Sequence, residues 1–94
     1  MGTAARRKPK RLAEKLLAVR VRLGLSQNGL IRQMGLAKDV TQAEISMFER
    51  GIRVPPLPIL LEYSKAANVY LEILVADELD LPPELPAKKR TRPD

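Results

Sequence analysis

Residues 26–51 read SQNGLIRQMGLAKDVTQAEISMFERG, and this stretch predicts two short helices joined by a turn. Ser26 is a good N-cap for the first helix, which should end at Gly35, because glycine readily adopts the left-handed conformation of a C-cap. Thr41 is the N-cap of the second helix, and Glu44, three residues later, completes a capping box with it. The second helix should therefore begin directly after the threonine.

The second helix of this pair is predicted over residues 42–50, before Gly51, with one apolar and one open face. Ile45 and Phe48 lie three residues apart and should both face the core. The open face carries amide and small side chains and one thioether: Gln42, Ala43, Ser46 and Met47. A short helix of this kind fits the major groove of DNA, where glutamine pairs bidentately with adenine. These four residues are therefore the candidate base contacts.

The composition predicts one small all-α domain. The 94 residues are 45% hydrophobic but include only one Phe, two Tyr and no Trp, so Leu, Ile, Val and Ala have to build the core. The chain has no Cys and no His, which excludes a zinc finger and removes the commonest general base. We therefore expect no metal, no cofactor and no enzymatic activity. No apolar run reaches the length of a membrane span, so we expect a cytoplasmic protein without a membrane partner.

Apolar residues at helical spacing predict a first helix over residues 11–23. Its apolar face is formed by Leu12, Leu16, Val19 and Leu23. Its other face carries three cations, Lys15, Arg20 and Arg22.

Two further helices are predicted in the second half of the chain. One has Pro58 in its first turn, where proline is tolerated, and ends near residue 67, with Asn68 as a left-handed cap. Its buried side chains should be Leu57, Leu60, Leu61, Tyr63 and Ala67. A final short helix is predicted over about 70–76, with Leu74 in the core.

Charge and proline content divide the chain into three parts. Residues 1–10 predict a flexible basic arm, residues 11–76 the helical domain, and residues 77–94 an extended tail that is acidic first and then basic. The cations of the arm, with the residue that follows it, are Arg6, Arg7, Lys8, Lys10 and Arg11. They could reach the minor groove of DNA or act as a non-specific tether. Since acidic residues repel DNA, the start of the tail should lie away from helix 42–50.

The apolar residues of the tail have two alternative roles. Leu79, Leu81 and Leu85, together with Val75 just before the tail, could form a contact between two copies of the chain. Alternatively, Leu79 and Leu81 fold back onto their own domain. The sequence favours neither alternative.

Three stretches of the chain together resemble the lambda-repressor-like helix-turn-helix family, the Cro/XRE type of phage and bacterial transcription regulators. They are LAEKLLAVRVRLGLSQ, LIRQMGL and TQAEISMFERGIRVPPLPILLEYSKAANVYLEIL. The run G-L-S-Q, the pattern I-S-x-x-E-x-G, a proline four residues after that glycine and a closing A-x-x-V-x-L-x-x-L are specific in combination. The resemblance covers most of the chain. It implies a five-helix bundle that binds double-stranded DNA sequence-specifically, usually as a homodimer.

The resemblance also implies roles for individual residues at the DNA interface. Gln42, Ala43 and Met47 match base-contacting positions, and Ser46 lies near them. Phosphate contacts are implied at the start of the second helix and in the loop after the third, by Ser26, Gln27 and Arg53. The free N–H groups and the dipole at the start of a helix favour an anion there as well.

Two other residues, Arg20 and Glu49, match positions that commonly form a partly buried ion pair, and we expect a structural role for both. Thr41 and Glu44 should be engaged in helix capping. One departure from the family pattern lies before Ile45, where this chain has additional residues. We therefore expect a lengthened turn between helices 2 and 3.

The predicted function is that of a sequence-specific, double-stranded-DNA-binding transcription regulator, a repressor acting at the bacterial nucleoid. The alternative is a protein-interaction or antitoxin-like module of the same fold that acts mainly through its C-terminal segment. The low charge of helix 42–50 favours this alternative, since the helix has no Arg or Lys before Arg50.

Overall fold

The computed structural model describes residues 9–86, and over this range the regular secondary structure consists of five α-helices. The helices are α1 (Leu12–Leu23), α2 (Gln27–Met34), α3 (Gln42–Glu49), α4 (Leu57–Ala67) and α5 (Leu71–Val75). The expected all-α fold with five helices is confirmed. Arg6, Arg7 and Lys8 of the basic arm lie outside the described residues, as do residues 87–94 of the tail.

Capping residues set the ends of the helices. Ser26 Oγ accepts a hydrogen bond from the backbone N–H of Gly29 at 2.9 Å, at the start of α2. Gly24 and Gly35 end α1 and α2 with φ of 72° and 71°, a left-handed conformation that glycine adopts without a Cβ clash. Asn68 ends α4 in the same conformation, with φ of 60°.

Side chains from all five helices pack into one apolar core. Its most deeply buried members include Leu16, Val19, Leu30, Ile45, Tyr63 and Leu74. Each buried Leu, Ile or Val stabilises the fold by about 1.5–3 kcal/mol relative to an exposed position. α1 packs against α3, α4 and α5, while α2 packs against α3 and α4. α2 and α3 are therefore held both to each other and to the rest of the bundle.

The buried face of α4 is only partly the predicted one. The buried residues of this helix are Ile59, Leu60, Tyr63, Ser64, Ala66 and Ala67. The prediction was wrong for Leu57 and Leu61, which are 64% and 42% exposed. These two leucines lie one turn apart, beside the buried face of the helix. They form an apolar strip that the bundle does not cover.

Lys15 is buried, although it is a cation, because it lies at the border of the apolar face of α1, three residues after Leu12 and four before Val19. Its side chain is 2% exposed, and its Nζ donates to the backbone carbonyls of Ile73, Ala76 and Leu79 at 2.8, 2.8 and 2.6 Å. Carbonyl groups at the C-terminus of a helix such as α5 lack intrahelical donors and attract a cation. Burial, together with the charge of Arg11, lowers the pKa of the Lys15 ammonium.

Residues 35–41 form the lengthened turn between α2 and α3. The carbonyl of Leu36 accepts from the backbone N–H groups of Asp39 and Val40 at 2.8 and 3.1 Å. These bonds close a compact turn, and Val40 is buried in the core. The additional residues therefore add a core side chain instead of loosening the link between the two helices.

Residues 77–86 return along α1 and pack against the domain. Leu81 and Leu85 are partly buried against the core, and Arg22 Nη1 donates to the carbonyl of Pro82 at 2.7 Å. Of the two roles open to the tail leucines, the structure shows folding back onto the domain for Leu81 and Leu85.

Arg11 takes part in the same contact and is not part of a free arm. Its Nη1 donates to the backbone carbonyl of Asp77 at 2.7 Å, and its Nη2 lies 2.7 Å from Asp80 Oδ1. The Asp77 carboxylate in turn accepts from the backbone N–H groups of Lys10 and Arg11, both at 3.0 Å. These two hydrogen bonds lower the pKa of Asp77. A carboxylate at the start of α1 also complements the helix dipole.

The returning segment and α3 lie on opposite sides of α1. Arg20 of α1 bonds to Glu49 of α3, whereas Lys15 and Arg22 bond to the returning segment. Arg20 and Arg22 are two residues apart, which corresponds to a rotation of about 200° around the helix axis. The acidic start of the tail therefore lies away from α3, as the charge argument predicts.

Candidate nucleic-acid interface

α3 begins at a capping box and is pinned to the core along one edge. Thr41 Oγ1 accepts from the backbone N–H of Glu44 at 3.2 Å, and Glu44 Oε1 accepts from the backbone N–H of Thr41 at 2.9 Å. Ile45 and Phe48 are buried. Glu44 Oε2 also lies 3.5 Å from Arg53 Nη1. The carboxylate of Glu44 is therefore engaged with the protein itself.

The opposite edge of α3 faces outward. Gln42 and Ala43 are exposed, while Ser46 and Met47 are half-buried. The structure therefore places all four candidate base contacts together on the accessible edge of the helix.

Arg20 and Glu49 form an ion pair that joins α1 to α3. Arg20 Nε lies 2.6 Å from Glu49 Oε2, and Arg20 Nη2 donates to Glu49 Oε1 at 3.0 Å. A third donor of the guanidinium, Nη1, bonds the carbonyl of Leu25 at 3.1 Å. The Glu49 side chain is 5% exposed. Its hydrogen bonds to Arg20 raise the pKa of the guanidinium.

Gln27 links this ion pair to Gln42, the first residue of α3. Gln27 Nε2 donates to Glu49 Oε1 at 3.0 Å, and Gln27 Oε1 accepts from Gln42 Nε2 at 3.2 Å. Asn28 Nδ2 in turn lies 3.4 Å from Gln42 Oε1. Sequence reasoning missed this series of bonds and the part of Asn28 in it, because their geometry depends on how α2 and α3 approach each other. The cluster of amide side chains in the first turns of both helices was the available signal.

The three candidate phosphate contacts occupy two places. Ser26 and Gln27 lie at the N-terminus of α2, where the Ser26 hydroxyl caps the helix. Arg53 lies in the loop after α3, with its side chain half exposed. Arg50, which was not among the candidates, is exposed at the end of α3 and its Nε donates to Ser46 Oγ at 3.2 Å. Cations thus lie at the C-terminal end of α3, while its N-terminal turn presents amide and methyl groups.

The described part of the chain has neither a metal-binding cluster nor a helix that could span a membrane. Within residues 9–86, acidic, histidine and cysteine side chains nowhere gather in a group able to hold a metal ion. None of the five described helices combines the length and apolar character needed to cross a membrane.

Comparison with known protein families agrees with this geometry. A family model described as helix-turn-helix matches residues 10–74, and the chain belongs to this helix-turn-helix family, of the Cro/C1 type. The resemblance to lambda-repressor-like domains is thereby confirmed. The protein is a DNA-binding helix-turn-helix regulator. Searches of curated proteins and of solved structures gave no significant match.

Proposed function

We propose that the protein is a sequence-specific transcription regulator that reads the major groove of double-stranded DNA with α3. The observation that carries this proposal is the position of Gln42. Its amide is exposed at the start of a capped helix whose inner edge is fixed by Ile45 and Phe48. Glutamine at such a position can pair bidentately with adenine, and Ala43, with its small exposed side chain, allows close approach to the groove floor.

Contacts to phosphate would orient α3 on the duplex. The N-terminus of α2, with Ser26 and Gln27, offers N–H groups that have no intrahelical acceptor and the positive end of a helix dipole. Arg53, at the other end of α3, supplies a cation. Because such contacts release counterions, binding should weaken steeply as salt concentration rises.

The basic arm would add to these contacts. Pro9 and Lys10, where the described chain begins, line a surface hollow of about 230 Å³ together with Gly51 and Arg53. The arm therefore starts beside a proposed phosphate contact. From there its cations can follow the DNA backbone or enter the minor groove.

We further propose that the regulator acts as a homodimer and a repressor. Four large apolar side chains remain exposed in the loop after α3 and along α4: Ile52, Val54, Leu57 and Leu61. An exposed apolar surface of this kind is typical of a protein contact, and it adjoins Arg53. A two-fold dimer would bind half-sites about 34 Å apart. Occupancy of a promoter by such a dimer would block transcription.

A second candidate function is a protein-interaction or antitoxin-like module of the same fold. Two observations favour it: α3 carries no cation before Arg50, and α4, α5 and the returning segment form a mainly apolar groove of about 630 Å³. The groove lining includes Val69, Tyr70, Ile73 and Pro82.

Binding of the full chain to a random-sequence duplex at increasing salt separates the two candidates. A DNA regulator is retained at low salt and released steeply as salt rises. Subsequent selection from random duplexes should yield a two-fold symmetric site. Absence of retention at low salt would leave the interaction module as the better description.

A further inference from the structure

Glu49 holds Gln27 in one of its two amide orientations. An ionised carboxylate accepts hydrogen bonds but cannot donate them. The Gln27 atom that lies 3.0 Å from Glu49 Oε1 therefore has to be the amide nitrogen. As the amide is planar, its oxygen is then turned toward Gln42, whose Nε2 lies 3.2 Å away.

The orientation of Gln42 follows from that of Gln27 by the same argument. Since the oxygen of Gln27 only accepts, Gln42 has to present its nitrogen to it. The oxygen of Gln42 then lies 3.4 Å from Asn28 Nδ2. An amide nitrogen carries two N–H groups and an amide oxygen two lone pairs. One N–H group and one lone pair of Gln42 thus remain for another molecule. The positions of this donor and this acceptor are fixed.

We propose that Glu49 determines base specificity by fixing, through Gln27, which end of the Gln42 amide donates and which accepts toward DNA. Adenine presents one acceptor and one donor in the major groove, whereas guanine presents two acceptors. An amide whose donor and acceptor are held in these positions matches adenine. An amide that is free to turn can also direct its NH2 group at guanine. This inference rests on the proposed function of α3 as the helix that reads DNA.

Glu49 also forms an ion pair with Arg20 of α1. Arg20 bonds both carboxylate oxygens, at 2.6 and 3.0 Å, and so ties Glu49 to α1 through charge-assisted hydrogen bonds. Glu49 Oε1 accepts from Arg20 and from Gln27 at the same time. Glu49 is thus a positioning residue, which acts on DNA through two other side chains and touches no base.

The test is the relative affinity for two duplexes, the preferred site of the wild-type protein and the same site with guanine in place of the adenine that Gln42 contacts. In Glu49→Gln, residue 49 can present either an oxygen or an NH2 group, so it no longer dictates the orientation of Gln27. We expect the adenine-to-guanine affinity ratio to fall about tenfold at this base pair. Preferences at the other base pairs should remain.

Arg20→Lys is the matched control. It weakens the ion pair, because a single ammonium replaces a bidentate guanidinium, but leaves the carboxylate that orients Gln27. Its thermal stability should fall while its affinity ratio stays at the wild-type value. If Glu49→Gln does not fold, the double variant Arg20→Gln/Glu49→Gln replaces it, because no charge is left unpaired there.

Three results would overturn the proposal. A folded Glu49→Gln or double variant that keeps the wild-type ratio would show that Glu49 does not orient Gln42. An equal fall of the ratio in Arg20→Lys would assign the effect to the ion pair as a whole. A wild-type protein that binds all duplexes equally would refute the proposed function itself, together with this inference.

Discussion

Lys15 Nζ donates to the backbone carbonyl of Leu79 across 2.6 Å, and this contact joins the first helix to the segment that returns after the fifth. The same ammonium holds the carbonyls of Ile73 and Ala76 at the end of α5. A single buried cation therefore fixes α5 and the returning segment to α1.

Replacement of this cation should destabilise the domain. In Lys15→Met the side chain keeps most of its volume, but three carbonyls lose their donor, which should lower the free energy of unfolding by about 1–3 kcal/mol. Urea denaturation followed by circular dichroism measures the change. The control is Lys65→Met on the surface of α4, where a change within about 0.5 kcal/mol is expected. Equal effects of the two substitutions would refute the role of Lys15.

Tyr63 offers a stabilising substitution with a characteristic pH dependence. Its hydroxyl is buried, and within the described residues it has no hydrogen-bond partner. Burial raises the pKa of this phenol above its ordinary value of 10.0. We expect Tyr63→Phe to be at least as stable as the wild type at pH 7, because a buried unsatisfied hydroxyl is removed.

Above pH 10 the advantage of Tyr63→Phe should grow. The unfolded wild-type chain then ionises at Tyr63 while the folded protein does not, so the wild type loses stability that the variant keeps. The loss amounts to about 1.4 kcal/mol per pH unit until the folded protein ionises as well. Denaturation of both proteins at pH 7, 10 and 11 tests this expectation. A difference in the free energy of unfolding between the two proteins that stays constant from pH 7 to pH 11 would contradict this expectation.

Asp77 should make an acid-sensitive contribution to stability. Hydrogen bonds from the backbone of Lys10 and Arg11 lower its pKa below the ordinary value of 3.8. The stabilisation is therefore present above that value and is lost as the pH falls through the lower pKa of the folded protein. Asp77→Asn should have a lower Tm than the wild type at pH 7, and the difference should narrow toward pH 2. Glu78→Gln, at an exposed position, serves as the control. Its difference in Tm from the wild type should not narrow toward pH 2.

The apolar strip of α4 gives a direct test of dimerisation. Leu57 and Leu61 are exposed, so a charge at either position leaves the core intact but places an unpaired carboxylate in the proposed contact. Leu61→Glu should be a folded monomer at concentrations at which the wild type is a dimer, as measured by analytical ultracentrifugation. Leu85→Ala, on the returning segment, should stay dimeric. If Leu61→Glu stayed dimeric and Leu85→Ala became monomeric, the dimer contact would lie at the C-terminal segment.

The helices could be predicted from the sequence because their signals are local. Gly24, Gly35 and Asn68 end helices through their own backbone preferences, and the capping box of α3 lies within four consecutive residues. These features do not depend on the packing of the bundle.

Other features depend on which helix faces meet, and the sequence does not encode this locally. The burial of Lys15 requires the carbonyl groups of α5 and of the segment beyond it, far away in the chain. The exposure of Leu57 and Leu61 could not be foreseen, because α4 has leucines on more than one face. The contact between Gln27 and Gln42 similarly depends on the angle that the longer turn gives to α2 and α3.

The central claim is that Gln42 reads a base while Arg53 contacts the backbone. The most direct measurement is the selection of preferred sites from random duplexes by three proteins: wild type, Gln42→Ala and Arg53→Ala. Gln42→Ala should lose preference at one base position in each half-site, equivalent to about 1–3 kcal/mol of discrimination, whereas Arg53→Ala should weaken binding to all sequences similarly and lower the salt dependence. Uniform weakening by Gln42→Ala with every base preference retained would contradict the account.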